Sequence, residues 1–531
     1  MSEKTEKEQK KKDAKKGELG GKAEKVINLC LRRGILFPTG EIYGSFAGFF
    51  DYGPVGVEME RNLEAAWWNH FVHSREDVVG IDGAIITHPT VWKASGHCDA
   101  FNDPLVECRK CKSRFRADQL IEDELKISVD GITLKQLDEL IKEHKLVCPK
   151  CRSELSSSKV FNLMFKTHIG AVEDDSSLAF LRPETAQLIF VDFKTAQFVS
   201  RKQLPFGIAQ IGKSFRNEIA PRNFVFRSRE FSQMELEFFI HPTKVNNCPF
   251  LNKHVLETKI NVCTAEMQAK GGMGEVVEMS VKELVEKNIV KTKWHAYWIV
   301  ESLNWFHSLG IHPENLRIRE HLKEELSHYS SETWDVEYNY PWGWKELEGI
   351  ANRGDFDLKQ HAKFSGKDLS YFDAEKGERV TPIVIEPSWG LERTLFTLLL
   401  DAFEEKVENG KAKLVLRLHP TIAPVRVGVF PLMKKDGLAE KAREVCESLK
   451  KEFACEYDEA GSIGKRYARM DEIGTPYCVT IDYDSLEKNT LTLRERDSAK
   501  QVVLPVKALK ETLQKLFSGS ISFSEAGKPV T

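Results

Sequence analysis

The sequence predicts an α+β protein: a large domain on an antiparallel sheet, with a cysteine-rich insertion, followed by a smaller α/β domain. Three observations predict it. At 531 residues the chain exceeds the ~250–300 residues at which single cores stop growing. Short β-rich runs separated by polar turns fill its middle, and after Pro420 strands and helices alternate. Hydrophobic residues make up 41% and charged residues 30%, a globular balance that excludes wholesale disorder. A net charge of −3 argues against coating nucleic acid by bulk attraction, so any RNA contact must be a local basic groove.

Residues 1–22 read as a charged, disordered tail, Lys-rich and without apolar period; it could touch RNA or simply be solvated. No apolar run approaches the ~20 residues that span a bilayer, and a start rich in Lys and Glu is no signal peptide. A cytoplasmic protein with no membrane segment is expected. Order begins near Ala23, where Val26, Ile27, Cys30 and Leu31 recur at helical spacing. Between Gly56 and Val79, Leu63, Trp67 and Phe71 form a helical stripe that runs into a strand at Val78–Ile81. The runs Leu188–Val199, Gly207–Gly212 and Met234–Phe239 read as antiparallel strands. A helical, charged stretch is expected over about 250–325, and a strand and helix over Thr381–Leu400 close a domain of residues 23–419. Beyond a linker at Pro420–Pro424, residues 420–531 hold a strand at Val425–Phe430, a helix on Leu438, Ala442, Val445 and Leu449, a further short strand, a helix at Lys465–Asp471, strands at Tyr477–Tyr483 and Thr490–Leu493, and a last helix at Leu509–Phe517.

Eleven cysteines without a secretion signal do not suggest a disulfide framework. Seven are scattered and read as small buried hydrophobes. The other four form Cys108-Arg-Lys-Cys111 and Cys148-Pro-Lys-Cys151, two knuckles whose spacing lets all four thiolates reach one tetrahedral zinc with no open position. The segment 105–155 is thus expected to be a zinc-ribbon-like insertion, reduced thiols being the alternative. Lys110, Lys112, Arg114 and Arg116 make it basic, either for RNA or as a solvated face.

No GxxxxGK[ST] occurs, and Gly271-Gly272-Met273-Gly274 lacks the lysine of a phosphate loop, so side chains would have to hold any nucleotide. The candidate is Lys213-Ser214-Phe215-Arg216-Asn217-Glu218, a loop with Arg222 and Arg227, then Arg229-Glu230-Phe231. Guanidinium offers planar paired donors to phosphate oxygens and an aromatic could stack a base. Alone, the segment is equally a charged hairpin.

Its company changes that. The hairpin resembles motif 2 of class II aminoacyl-tRNA synthetases; Gly56–Pro89 resembles motif 1, the dimer element, and Ile385-Glu386-Pro387-Ser388-Trp389-Gly390-Leu391-Glu392-Arg393 resembles motif 3. Finer strings, Tyr43–Pro54, Ser95-Gly96-His97, Phe161–Phe165, Leu181–Ala186, Trp334-Asp335, Glu346–Gly349 and Thr492–Asp497, resemble the glycine-specific family. From about Ala23 onward the resemblance implies ATP-dependent activation of glycine and transfer to the 3′ end of tRNA(Gly), without editing, by a homodimer.

It also implies roles. Arg216 would bind the α-phosphate, with Asn217 beside it; Glu218 would lie near the adenine amino group, Phe231 would stack on adenine, Arg227 would be a second phosphate contact and Arg393 would meet the γ-phosphate. Glu346, with Leu347 next to it, would hold Mg²⁺ bridging phosphates, so that Arg216, Glu346 and Arg393 carry the catalysis. Glu184, Glu235 and Glu386 would surround the glycine ammonium, Ser388 beside them and Arg319 available to the carboxylate. An ammonium with three donors needs several acceptors, and a buried charge is tolerable only when paired. The C-terminal domain resembles the family's anticodon-binding domain, with Gly461–Tyr467, Arg494 and Arg496 as RNA contacts or as an outward-facing edge. Two other readings are a non-catalytic relative and a synthetase for another amino acid.

Overall fold

The computed structural model describes residues 21–530 except 126, 128, 130, 131, 272–274, 409 and 410, with backbone alone for 406–408, 411 and 412. The tail over 1–20 and Gly272–Gly274 of the glycine run lie outside the described residues. A first helix over 21–33 buries Val26, Leu29 and Cys30, while Leu31 stays 44% exposed.

The large domain is organised by nine strands: β1 (Val78–Gly80), β2 (Phe206–Phe215), β3 (Glu230–Ile240), β4 (Lys259–Cys263), β5 (Val277–Ser280), β6 (Leu316–Glu320), β7 (Glu332–Tyr340), β8 (Gly343–Gly354) and β9 (Ile383–Gly390). They form one sheet in the order β5-β4-β6-β7-β8-β9-β3-β2-β1. Its central pairs from β6 to β2 are antiparallel. Parallel pairs occur toward the two ends, β2 with β1 and β4 with β6.

The period-two pleat gives this sheet its two faces. On β3, Met234, Leu236, Phe238 and Ile240 point into the main core, whereas the intervening Gln233, Glu235 and Glu237 are buried polar residues on the opposite face. The apolar face is covered by the helices Pro54–Trp68, Lys293–Ser308 and Leu391–Ala402. Pro54 starts the first of these, where its fixed φ suits a helix and its missing N–H costs nothing. Thr292 caps the second by accepting from the His295 N–H. Trp67, Phe71, Trp305 and Trp389 meet at its centre, with ring centroids 4.7 Å apart for Phe71 and Trp389 and 5.9 Å for Trp305 and Trp389.

Two expectations are corrected. Leu188–Val199 lies in two helices, Ala186–Val191 and Phe193–Ser200; its buried residues Ala186, Ile189, Phe190, Phe193 and Ala196 recur at three- and four-residue spacing, which outweighs the β propensity of its Phe and Val residues. The stretch 250–325 is not simply helical: besides the helix Lys293–Ser308 it supplies β4, β5 and β6 to the sheet. Each alternates apolar and polar residues, Ile260 and Val262, Val277 and Met279, Leu316 and Ile318, but over only four or five residues, too short a run to stand out from the helical segments around it.

The C-terminal sheet holds Val427–Pro431, Cys455–Tyr457, Tyr477–Ile481, Thr490–Glu495, Gln501–Pro505 and Lys528–Pro529. The first three strands are parallel and the rest antiparallel. Leu438, Ala442, Val445 and Leu449 are buried on the helix Leu438–Leu449 as their spacing predicts. The segment 420–424 is packed, with Ile422 and Ala423 fully buried and the Asn62 side chain donating to the Ala423 carbonyl at 3.0 Å. Among the described residues no helix is long and apolar enough to cross a membrane.

Candidate active site

The polar face of the sheet opens into a cavity of about 360 Å³ lined by Arg216, Glu218, Arg227, Phe231, Glu346 and Arg393 on one side and Glu184, Glu235, Glu386 and Ser388 on the other. Residues from five separated stretches of sequence converge here because β2, β3, β8 and β9 are neighbours and Glu184 precedes a helix packed beside them.

Arg216 directly follows β2; its Nε donates to the Pro183 carbonyl at 3.0 Å and its guanidinium lies 5.3 Å from the Phe231 ring centre. One backbone bond therefore aims a cation over an aromatic face. The loop after it is tied down by Arg229, which donates to the Glu218 carbonyl at 2.7 Å and 3.0 Å and to the Ala47 carbonyl at 2.8 Å. Arg227 Nε lies 4.0 Å from Glu218 Oε2. Arg393, in the first turn after β9, donates to Glu346 Oε1 at 2.8 Å and holds that carboxyl below its ordinary range. Glu346 is 52% exposed, into the open cavity.

On the carboxylate side, Ser388 Oγ donates to Glu235 Oε1 at 2.9 Å, and the Thr185 hydroxyl donates to its other oxygen. Burial and the charge of Glu184 push Glu235 up. Glu184 goes the other way: burial would raise it, but His97 Nε2 at 3.3 Å, Arg353 and Gln187 hold it well below the carboxylate range. Glu386 is pushed up to about 8 by burial, against the pull of Arg353, whose Nη1 donates to Glu386 Oε1 at 2.7 Å. Arg353 also forms a two-bond fork with Asp357 at 2.8 Å and lies 3.8 Å from the Tyr329 ring centre.

Three expected residues are not in this cavity. Arg319 is held by Glu325 at 3.0 Å, Asp335 at 3.1 Å and Glu337 at 3.4 Å, and these three carboxylates keep it behind the cavity wall, outside the lining. Leu347 is fully buried in the core, because the pleat turns it away from Glu346. Asn217 contributes its backbone, donating to the Leu163 carbonyl at 2.8 Å.

Comparison with known proteins shows which family the chain belongs to. Residues 426–516 match the family described as anticodon binding domain. The chain is similar to a protein named glycine–tRNA ligase from Caldanaerobacter subterraneus subsp. tengcongensis, 48% identical over 497 residues that cover 92% of this chain and 97% of the relative. It is likewise similar to one of the same name from Acetivibrio thermocellus, 47% identical over 507 residues covering 94% and 98%, and to one from Bacillus thuringiensis subsp. konkukian, 46% identical over 498 residues covering 93% and 98%. The chain belongs to the glycine–tRNA ligase family.

In this family member the sequence reading missed the residues behind the carboxylates. His97, Gln187, Arg353 and Asp357 hold Glu184 and Glu386 in place: Gln187 donates to Glu184 at 2.9 Å and to Asp357 at 3.0 Å. Ser95-Gly96-His97 was legible as a string, but no sequence period assigns its role. Arg353 and Asp357 offered one signal, opposite charges at a spacing of four, which is more often a surface pair. In the C-terminal domain Arg494 and Arg496 are buried. Arg494 pairs with both oxygens of Asp471 at 2.8 and 3.0 Å, and Arg496 donates to the carbonyls of Leu418 and Gly474. They join core to core, so neither faces outward to RNA.

In the cysteine insertion, Cys108 Sγ lies 3.4 Å from Cys151 Sγ and Cys111 Sγ 3.6 Å from Cys148 Sγ; all four sulfurs are within 4.8 Å of one another. Sulfurs on ~2.3 Å arms around a tetrahedral zinc stand ~3.8 Å apart, so the donor set fits that ion. Hydrogen bonds from Ser113 pull the Cys111 thiol down to about 6, toward the thiolate that binds metal, while burial pushes Cys108 up to about 11. Arg116 pairs with Asp103 and Asp118, which removes it from the exposed basic charge of the insertion.

Proposed function

We propose that this chain is a glycine-activating ligase: it forms glycyl-adenylate from glycine and ATP and transfers the glycyl group to the 3′ end of tRNA(Gly). The observation that carries this reading is the single cavity in which Arg216, Arg227 and Arg393 face Glu184, Glu235 and Glu386. One side suits a polyphosphate, the other an ammonium. Between them the substrate carboxylate can attack the α-phosphorus in line, so catalysis is positioning and charge stabilisation without a covalent enzyme intermediate.

Phe231 would stack on adenine with Glu218 at its amino group, Arg216 would take the α-phosphate and Arg393 the γ-phosphate. Glu346, a half-exposed carboxylate in the cavity, offers the hard oxygen that Mg²⁺ prefers and would hold that ion, which would supply positive charge to offset that of the phosphates. Selectivity for glycine is exclusion. Glu235 is fixed by Thr185 and Ser388, Glu386 by Arg353, and Glu184 by His97 and Gln187, so a larger side chain meets walls that cannot yield. No editing site is needed.

We read residues 23–419 as the catalytic domain, 105–155 as a zinc ribbon, and 420–531 as the anticodon-binding domain. The protein is a cytoplasmic homodimer in this account; the exposed apolar residues Ile42, Tyr43 and Phe46 lie on the stretch just before the motif 1 segment. ATP–pyrophosphate exchange tests the reading: glycine supports exchange and alanine and serine do not. Exchange with serine or alanine but not glycine would overturn the substrate, and none with any amino acid would favour a non-catalytic relative.

A further inference from the structure

One wall of the cavity is left over once ATP and glycine are placed: His321, Ser327, Thr333 and Asp335 line it, and no step so far uses them. His321 follows β6 and its backbone N–H donates to the Thr333 carbonyl at 3.0 Å, which sets its side chain on the cavity face. Its Nε2 lies 2.8 Å from Asp335 Oδ1, a contact with the distance of a hydrogen bond but without its alignment. Asp335 is held in turn by Arg319 at 3.1 Å. The arginine that sequence resemblance assigned to the glycine carboxylate instead anchors a His–Asp pair.

The position of that pair follows from strand register. Asp335 on β7 stands opposite Gly349 on β8, and Gly349 stands opposite Ser388 on β9. Two strand spacings, about 10 Å, separate Asp335 from the glycine end of the cavity. Gly349 keeps the space between them open: a Cβ there would meet only Asp335 Oδ1, at 3.9 Å. The charges around His321 then select what fits. Asp335 on β7, Glu325 in the loop after β6 and Glu346 on β8 are carboxylates, and Arg319 on its own strand is already paired with three acids. Arg393, paired with Glu346 at 2.8 Å and close to Asp335, is the cation on this side; burial disfavours the imidazolium, but Asp335 and Glu325 outweigh it and raise the proton affinity of His321, as a base that receives a proton from a neutral hydroxyl requires.

We propose that His321, oriented by Asp335, is the general base for the transfer step. This rests on the proposed glycine-activating function. The terminal ribose hydroxyl of the tRNA attacks the carbonyl carbon of glycyl-adenylate as its proton passes to a His321 ring nitrogen. The new ester C–O bond forms, the C–O bond to phosphate breaks, and AMP leaves with both electrons of that bond. The proton then returns to solvent.

The experiment separates the two steps on full-length protein. For His321→Asn, preformed enzyme-bound glycyl-adenylate is mixed with tRNA(Gly) and single-turnover transfer is followed by rapid quench; glycine-dependent ATP–pyrophosphate exchange is measured alongside. The transfer rate should fall on the order of 100-fold, against at most a severalfold change in exchange. The wild-type transfer rate should rise with pH through an inflection above the ordinary histidine value and that of the variant should be flat; Asp335→Asn should move the inflection down, and added imidazole should restore transfer in His321→Ala. Transfer by His321→Asn at a near-normal rate overturns the proposal, and so does an equal loss of both steps, which would mark the residue as structural. A wild-type enzyme with no glycine-dependent exchange would instead refute the underlying function.

Discussion

Glycine binding should expel a proton. Burial is the largest influence on Glu386, opposed by Arg353 and reinforced by Glu235 and Glu184, and the outcome is a carboxyl pushed up to about 8. At neutral pH such a group is about nine-tenths protonated. An ammonium arriving among Glu184, Glu235 and Glu386 favours the ionised form, so below about pH 8 each glycine bound should release close to one proton, and the apparent Kd should fall roughly tenfold per pH unit until it levels off. The stability of the empty protein runs the other way. Because the folded-state value is raised, the contribution of Glu386 is fully present below the ordinary carboxylate value of 4.5 and is lost as pH rises toward about 8. Glycine should therefore raise the melting temperature most at the alkaline end of that window. Titration calorimetry at about pH 6.5 in two buffers of different ionisation heat counts the proton directly. A Kd that stays flat from about pH 6 to 9, with no buffer dependence of the heat, would refute the reasoning.

Other perturbations have equally definite outcomes. Arg216→Ala removes the cation proposed for the α-phosphate and its contact with Phe231; exchange should drop by at least ~10²-fold while circular dichroism and the melting temperature stay close to wild type, and near-normal exchange would count against the proposed role. Freshly purified protein, never exposed to chelator, should carry about one zinc per chain by metal analysis, lost in Cys148→Ser; less than about half an equivalent contradicts a four-thiolate site. Arg494→Met leaves the fully buried Asp471 without its forked partner and should lower stability in denaturant by roughly 3 kcal/mol, Lys413 at 3.5 Å softening the loss. A change within ~0.5 kcal/mol would mean that the pair is dispensable.

Much of the fold was legible because its signals are periodic. The stripe Leu63, Trp67 and Phe71 is fully buried, and Gly207–Gly212 and Met234–Phe239 pair antiparallel as expected. Leu188–Val199 misled because an apolar run rich in Phe and Val reads as strand until its three- and four-residue spacing is counted. The strands within 250–325 alternate for only four or five residues each and were lost among the helical segments around them. At the site, the side chains proposed to touch substrate lie in recognisable strings, and the cavity gathers Glu184, Arg216, Phe231, Glu235, Glu346, Glu386, Ser388 and Arg393. What supports them was not legible: Arg353 reaches Glu386 across 33 residues of chain, and Gln187 reaches Asp357 across 170. Arg319 and Arg494 failed for the same reason. An arginine on a strand looks free to bind a ligand until the fold shows which carboxylates already hold it.

The central claim is that one cavity joins amino-acid activation to charging of tRNA with glycine. The direct test is aminoacylation of a tRNA(Gly) transcript with labelled glycine, serine or alanine in parallel, read as acid-stable counts on the RNA. The account predicts ATP-dependent charging with glycine alone. Charging with serine or alanine in place of glycine, or glycine-dependent exchange with no label transferred to the tRNA, would contradict it.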